Sequence, residues 1–166
     1  NTAWAYAAAD APSAALFAGR RFAECCDAAA SSLRPEDLDQ LHQWQLWLKE
    51  RGADWPRLAP QLSARCHASF SAAAAAPSRL QGRVAAALAA LGLPVREEVG
   101  TPQGYSLDAV VVFEGREVAV EVDGPSHFVG RAPSGATALK RRQLRAAGWT
   151  LVSVPYWEWD EVEAGS

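Results

Sequence analysis

Three carboxylates and a histidine lie near the ends of two hydrophobic runs. Glu121 and Asp123 end the run in "VAVEVDGPSHF", His127 follows the Gly-Pro turn, and Asp108 lies in the earlier run "LDAVV". Mg²⁺ and Mn²⁺ prefer carboxylate oxygens as ligands, and a histidine can transfer a proton near neutral pH. The pattern predicts a Mg²⁺ or Mn²⁺ site that polarises a phosphodiester and activates water. The alternative is a strand end whose acids simply face solvent.

The loop between the two runs decides how the acids pair. A loop at Glu114-Gly115 places Asp108 opposite Glu121, and a loop at Gly115-Arg116 places it opposite Asp123. Side chains alternate along a strand, and directly paired residues share a face of the sheet. Either two-residue loop therefore gathers all three carboxylates on one face, whereas a three-residue loop would not.

A basic block follows the acids in a predicted helix over residues 137–147. Its cations are Lys140, Arg141, Arg142 and Arg145. Lys140 and Arg141 lie about one helical turn from Arg145, so part of the set shares a face. We predict that these cations bind the phosphates of a nucleic acid. The alternative is an ordinary solvated face of a helix.

The tryptophans allow two interpretations. Tyr156, Trp157 and Trp159 in "PYWEW" could stack on bases, or they could pack behind the last strand. Trp44 and Trp47 lie at helical spacing among leucines, which favours packing in a core or between helical repeats over RNA stacking.

Composition limits the classes of protein that fit. The 166 residues carry a net charge of −3, which argues against a broad basic sheath for nucleic acid but not against a local site. The sequence contains no uncharged apolar run long enough to predict a membrane span. Cys25, Cys26 and Cys66 lack the CxxC spacing of a zinc site and are odd in number, which favours a reducing compartment. Because the chain begins at Asn1 and contains no methionine, we expect a fragment of a longer protein.

The hydrophobic pattern divides the chain into two parts. Residues 1–76 predict a helical segment, which would suit the end of a helical-repeat array that offers a surface for protein partners. Residues 77–166 predict an αβββαβ domain with a mixed sheet, because the last helix returns the chain to a three-stranded meander. The predicted helices cover residues 35–51, 57–70, 79–91 and 137–147, and the predicted strands cover residues 95–99, 106–113, 117–123 and 149–154. The expected class is therefore α/β.

The second part resembles a known family. The segments "LDAVV", "VAVEVDGPSHF" and "ALKRRQLRAAGWTLVSVPYWEW" are similar to the RAP domain, an RNA-binding domain abundant in apicomplexans, over roughly residues 79–162. Such domains occur near the C-termini of organellar RNA factors, among them octotricopeptide-repeat and Fas-activated-kinase-like proteins. The resemblance implies a chloroplast location, with the mitochondrion as the alternative, and a role in RNA processing, stability or translation.

The RAP domain is itself similar to PD-(D/E)xK nucleases, especially very-short-patch-repair endonucleases. Within that resemblance, Asp108 matches the first acid and Glu121 the second, and Asp123 stands where the lysine usually lies. His127 corresponds to a nearby histidine of the repair enzymes, and Lys140 is a candidate for a lysine moved to the helix. Gln81 occupies the place of a first-helix glutamate. The resemblance implies either RNA binding or a metal-dependent endonuclease that uses these groups, and a scaffold in ribosome assembly is a third possibility.

Overall fold

The computed structural model describes residues 2–72 and 77–165. The chain divides into two compact units, Asn1–Ala73 and Ala74–Ser166. The first is helical and the second combines helices with a mixed sheet, so the predicted α/β class is confirmed. The predicted domain boundary between residues 76 and 77 stays a prediction. The assignment of the first unit to the end of a helical-repeat array also stays a prediction.

The first unit consists of short helices followed by two longer ones. Helix α4 begins at Pro35, at a position where the missing backbone N–H would have no helical partner. Glu36 and Asp37 in the first turn stabilise the helix, because their negative charges interact favourably with the positive end of its dipole. The helices are α1 (Thr2–Ala8), α2 (Ala14–Phe17), α3 (Arg21–Ala28), α4 (Pro35–Glu50) and α5 (Pro60–Ala72), with a 3-10 turn at Ala30–Ser32.

An aromatic core holds this first unit together. Trp44 and Trp47 are completely buried, and the Phe17 ring centroid lies 5.6 Å from that of Trp44 and 6.3 Å from that of Trp47. The Trp47 indole Nε1 donates a 2.8 Å hydrogen bond to Asp10. The prediction that these tryptophans pack in a core, rather than stack on RNA, is confirmed.

The second unit follows the predicted order of elements, with two additions. A two-stranded hairpin, β4–β5, precedes the last crossover helix, and a helix follows the last strand. The elements are α6 (Arg79–Ala90), β1 (Val95–Gly100), β2 (Ser106–Phe113), β3 (Arg116–Asp123), a 3-10 turn at Pro125–His127, β4 (Phe128–Val129), β5 (Ala132–Pro133), α7 (Gly135–Ala146), β6 (Thr150–Pro155) and α8 (Tyr156–Ala164).

The main sheet has the strand order β1-β2-β3-β6, in which only β3 and β6 run parallel. Phe113 pairs with Arg116, so the loop of the β2–β3 hairpin is Glu114-Gly115. These two residues have φ of 49° and 76°, the positive values that a type I′ turn requires. The first of the two predicted loops is therefore the one that forms.

The two faces of this sheet bury different groups. Ala109, Val111, Val120 and Val122 form an apolar core with Val84 of α6, and Trp159 of α8 packs against the same core. Because side chains alternate with period two, Glu121 and Asp123 point to the opposite face, where α7 lies. Among the described residues, no helix is long and apolar enough to cross a membrane.

Candidate functional site

Two adjacent cations of α7 bind the two carboxylates of β3. Lys140 Nζ lies 2.5 Å from Glu121 Oε2, and Arg141 Nη2 lies 2.6 Å from Asp123 Oδ2. Both carboxylates are almost completely buried, at 3% and 2% exposure. Glu121 and Asp123 are two positions apart on one strand face, so consecutive residues of a helix packed over that face can reach both. The result is a pair of buried ion pairs at the carboxyl end of β3.

Asp123 is the centre of a hydrogen-bond network. Besides Arg141, its Oδ2 accepts a 2.6 Å bond from Ser153 Oγ of β6. Its Oδ1 lies 2.9 Å from Nδ1 of His127, which is partly exposed. Arg141 Nη2 also donates to Ser153 Oγ at 2.6 Å. The carboxylate therefore links β3, β6, α7 and the turn that carries His127.

Asp108 is held separately from these ion pairs. Its Oδ1 accepts a 2.6 Å bond from Gln81 Nε2 of α6, and its Oδ2 accepts a 2.7 Å bond from the backbone N–H of Val122. Continuing the observed register by one position places Asp108 opposite Glu121. The observed pairing ends at Ala109–Val120, and the Asp108 carboxylate contacts α6, which packs on the face of the sheet opposite Glu121. The gathering of all three carboxylates on one face stays a prediction.

Burial dominates the electrostatics of Glu121. Desolvation raises its pKa from 4.5 to about 7, even though the Lys140 ammonium acts in the opposite direction. The negative charges of Asp108 and Asp123 contribute to the same rise in pKa. Near neutral pH this carboxyl is therefore poised between its charged and neutral forms.

The predicted Mg²⁺ or Mn²⁺ site requires free carboxylate oxygens, and most oxygens of these three acids already have protein partners. Both oxygens of Asp108 accept protein hydrogen bonds, and protein cations bind Glu121 and Asp123. Within this cluster of acids, Glu121 Oε1 is buried without a hydrogen-bond partner. No cluster of three or more His, Cys, Asp or Glu side chains in residues 2–72 and 77–165 is arranged to hold a metal ion. The donor set does not fit a divalent cation, because Lys140 and Arg141 already supply the compensating charge.

The basic helix does not present its cations as one surface. Lys140 and Arg141 turn toward the sheet, Arg142 is half-buried, and Arg145 is exposed. The prediction that all four cations bind phosphates is best supported for Arg145, because its side chain is exposed. The other exposed arginine near this site is Arg131, in the turn of the β4–β5 hairpin.

Aromatic rings cluster beside the buried ion pairs. The Phe128 centroid lies 4.4 Å from that of Trp157, which in turn lies 5.1 Å from that of Tyr156. Arg141 Cζ lies 5.9 Å from the Phe128 ring, and Arg131 Cζ lies 5.6 Å from the Trp157 ring. Arginine, aromatic ring, aromatic ring and arginine thus follow one another from the buried network to the surface. Together with Tyr156, these four residues form what we call the aromatic cluster: Phe128, Arg131, Arg141, Tyr156 and Trp157.

Sequence reasoning missed three members of this site. Ser153 carries no charge, and only the parallel pairing of β6 with β3 places it opposite Glu121 and near Asp123. Phe128 stood in the quoted motif, yet its contact with Trp157 joins segments far apart in the chain. Arg131 was visible as a basic residue, but its proximity to an aromatic ring depends on the β4–β5 hairpin. A glycine-containing turn at 130–131 was the one local signal available.

Replacing Gln81 tests the link between α6 and the sheet. We expect Gln81→Ala to lower the free energy of unfolding by about 1–2 kcal/mol, because the Asp108 carboxylate loses a charged hydrogen bond and Ser78 loses its capping-box partner. Urea unfolding measures the change. Arg79→Ala, at an exposed position of the same helix, is the control and should change the value by less than about 0.5 kcal/mol. Equal effects of the two substitutions would contradict the link.

Comparison with known proteins points to the segment that builds this site. The family model described as the RAP domain matches residues 120–164, from β3 to α8. A curated protein of Oryza sativa subsp. japonica, named "RAP domain-containing protein, chloroplastic", is 51% identical over 65 residues. That alignment covers 38% of this chain and 10% of the relative, so the chain spans a small part of that protein's length. The resemblance seen in the motifs is confirmed, and residues 120–164 are the RAP domain match of this chain.

Proposed function

We propose that this chain is part of a chloroplast protein that binds single-stranded RNA through its RAP domain and acts in RNA processing, stability or translation. The observation that supports this function is that the matched residues, 120–164, include every side chain of the aromatic cluster, in which Arg131 is exposed. Partly exposed rings with nearby cations are what single-stranded nucleic acid binds. The name of the relative supports the chloroplast, and the mitochondrion stays the alternative.

The buried ion pairs favour binding over cleavage. A nuclease of the related superfamily requires carboxylates that can hold a metal ion, whereas Glu121 and Asp123 are neutralised by Lys140 and Arg141. In this arrangement the charges fix the position of α7 on the sheet and hold the aromatic cluster beside it. His127 is oriented by Asp123 through Nδ1, which leaves its Nε2 for a ligand.

RNA binding should be independent of divalent metal. We expect the full chain to bind a labelled single-stranded RNA equally well with Mn²⁺ or EDTA and to leave the strand intact. Affinity should fall with salt, because each bound phosphate releases counterions, with a logarithmic slope of about −0.7 per contact for single strands. Arg145→Ala should make this slope less steep by about 0.7 if its side chain binds a phosphate. Fluorescence anisotropy gives the affinities, and a denaturing gel reports strand integrity.

Two outcomes of this assay would contradict the proposal. Absence of binding at low salt would refute RNA binding itself. Strand scission that needs Mn²⁺ and disappears in Asp108→Asn/Glu121→Gln would instead establish the metal-dependent endonuclease. The amide variants keep the shape of both side chains, so loss of scission would report loss of charge and not collapse of the site.

A further inference from the structure

The aromatic cluster lies where a sheet of this topology offers a crevice. β3 and β6 are parallel neighbours that end at Asp123 and Pro155, respectively. The chain leaves β3 toward the β4–β5 hairpin and leaves β6 directly into α8. In open α/β sheets, ligands bind outside the carboxyl ends of parallel strands. Phe128 of the hairpin and Trp157 of the helix therefore meet at the edge of the sheet where a ligand would be expected.

The position of Trp157 differs from that of the core tryptophan two residues later. Consecutive helical residues are rotated by 100°, so Trp157 and Trp159 lie on nearly opposite sides of α8. Trp159 packs against the apolar core of the sheet, which accounts for its type. Trp157 instead lies half-buried on Phe128, with the exposed Arg131 over its ring. Core packing thus explains why residue 159 is a tryptophan, but it does not explain Trp157.

The inner side of the cluster is rigidly supported. Phe128 contacts Arg141, whose guanidinium is fixed by Asp123 and Ser153 and whose side chain is only 13% exposed. The outer side is different, because Arg131 lies in the two-residue turn between β4 and β5 and no described carboxylate binds it through an ion pair. A preformed ring surface is therefore covered by a cation that can move without breaking an ion pair.

We propose that Trp157 and Phe128 form a stacking subsite for one unpaired RNA base, and that Arg131 binds the phosphate next to it. This inference rests on the proposed function and names the part of the ligand that the cluster recognises. An unpaired base presents the π-face that an aromatic ring needs, whereas the bases of a duplex are already stacked on one another. Stacking of this kind tolerates all four bases, so the subsite would contribute affinity without sequence preference.

The test compares a single-stranded RNA with an abasic strand of equal length, because the two have the same phosphates. We expect the wild-type chain to bind the base-containing strand roughly tenfold to a hundredfold more tightly. Trp157→Ala should remove that preference and leave the affinity for the abasic strand unchanged, which also reports an intact fold. Trp157→Phe keeps a ring and should retain most of the preference. Phe113→Ala, an exposed aromatic at the β2–β3 turn, is the matched control and should change nothing.

The proposed role of Arg131 predicts a separate effect in the same test, on the salt dependence of binding. Arg131→Ala should retain the preference for the base-containing strand and make the salt slope less steep by about 0.7 for both strands. Trp157→Ala should leave that slope unchanged.

The results that overturn the subsite are specific. If Trp157→Ala retains the wild-type preference, or weakens both strands equally, the ring has only a structural role. If Phe113→Ala has the same effect as Trp157→Ala, the site is misplaced. If the wild-type chain binds RNA but does not distinguish the strands, the subsite is refuted while the proposed function stands. If it binds neither strand, the proposed function fails as well.

Discussion

Asp123→Ala should lower the free energy of unfolding of the second unit by about 3–5 kcal/mol, the cost of leaving a buried charge without its partner. The carboxylate is 2% exposed and binds Arg141, Ser153 and His127, so its removal strands the guanidinium of Arg141 in a site from which water is largely excluded. Amide hydrogen exchange of β3, read by mass spectrometry under native conditions, measures the loss in the unit concerned.

A double replacement separates the charge effect from a packing effect. Asp123→Leu/Arg141→Leu removes both charges together, and we expect it to recover most of the stability that either single change loses, because buried ion pairs contribute little beyond apolar side chains of similar size. Arg96→Ala breaks the exposed Arg96–Glu117 pair and should cost no more than about 1 kcal/mol. An Asp123→Ala effect as small as this control would show that the buried network is not a stabilising unit.

Stability of the wild-type chain should fall between pH 4.5 and about 7 through the titration of Glu121. The unfolded chain releases this proton near the ordinary pKa of 4.5, whereas burial raises the pKa in the folded protein to about 7. The folded state therefore binds more protons within this window, so the contribution of Glu121 to stability is complete below pH 4.5 and is lost as the pH rises through 7. Its full size is about 3 kcal/mol, from the energy equivalent of one pKa unit.

Glu121→Gln should remove that dependence. The amide cannot ionise, so the difference between wild type and variant in the free energy of unfolding should change by about 3 kcal/mol from pH 4 to pH 8. Urea unfolding at several pH values gives both curves, and subtracting them cancels the titration of groups that the substitution leaves alone. Glu117→Gln, an exposed carboxylate of the same strand, is the control and should leave the slope as it is. Parallel curves for Glu121→Gln and wild type would contradict the raised pKa.

Both predictions concern the charged contact between β3 and α7. The chain places two acids and two bases in the contact between β3 and α7, where apolar side chains would also pack. We interpret this as a requirement for position: Arg141, fixed by Asp123, supports Phe128, and Phe128 supports Trp157. The buried charges would then contribute to RNA binding through the ring that they hold in place.

Much of the fold followed from local patterns in the sequence. The β2–β3 hairpin is the clearest case, since hydrophobic alternation and a glycine placed its loop within residues 114–116, and the observed loop is Glu114-Gly115. The helix starting at Pro35 and the strand 106–113 follow equally local rules, because caps, turns and alternation act over a few residues. The terminal helix α8 was not predicted, since "YWEWDEVEA" interleaves aromatic and acidic residues without an apolar stripe at helical spacing.

The sequence by itself determined the α/β class, the main helices and strands of the second unit, the location of the β2–β3 loop, the RAP resemblance and the presence of carboxylates near the strand ends. Tertiary structure alone decided what those carboxylates do. The rotation of α7 about its axis is set by the burial of Leu139 and Leu144, and that rotation directs Lys140 and Arg141 toward the acids instead of toward solvent. The rotation of α7 cannot be predicted from residue spacing, because it depends on packing between segments distant in the chain. The same packing gives Glu121 and Asp123 protein cations as partners, and it leaves Trp157 half-buried and Arg131 exposed.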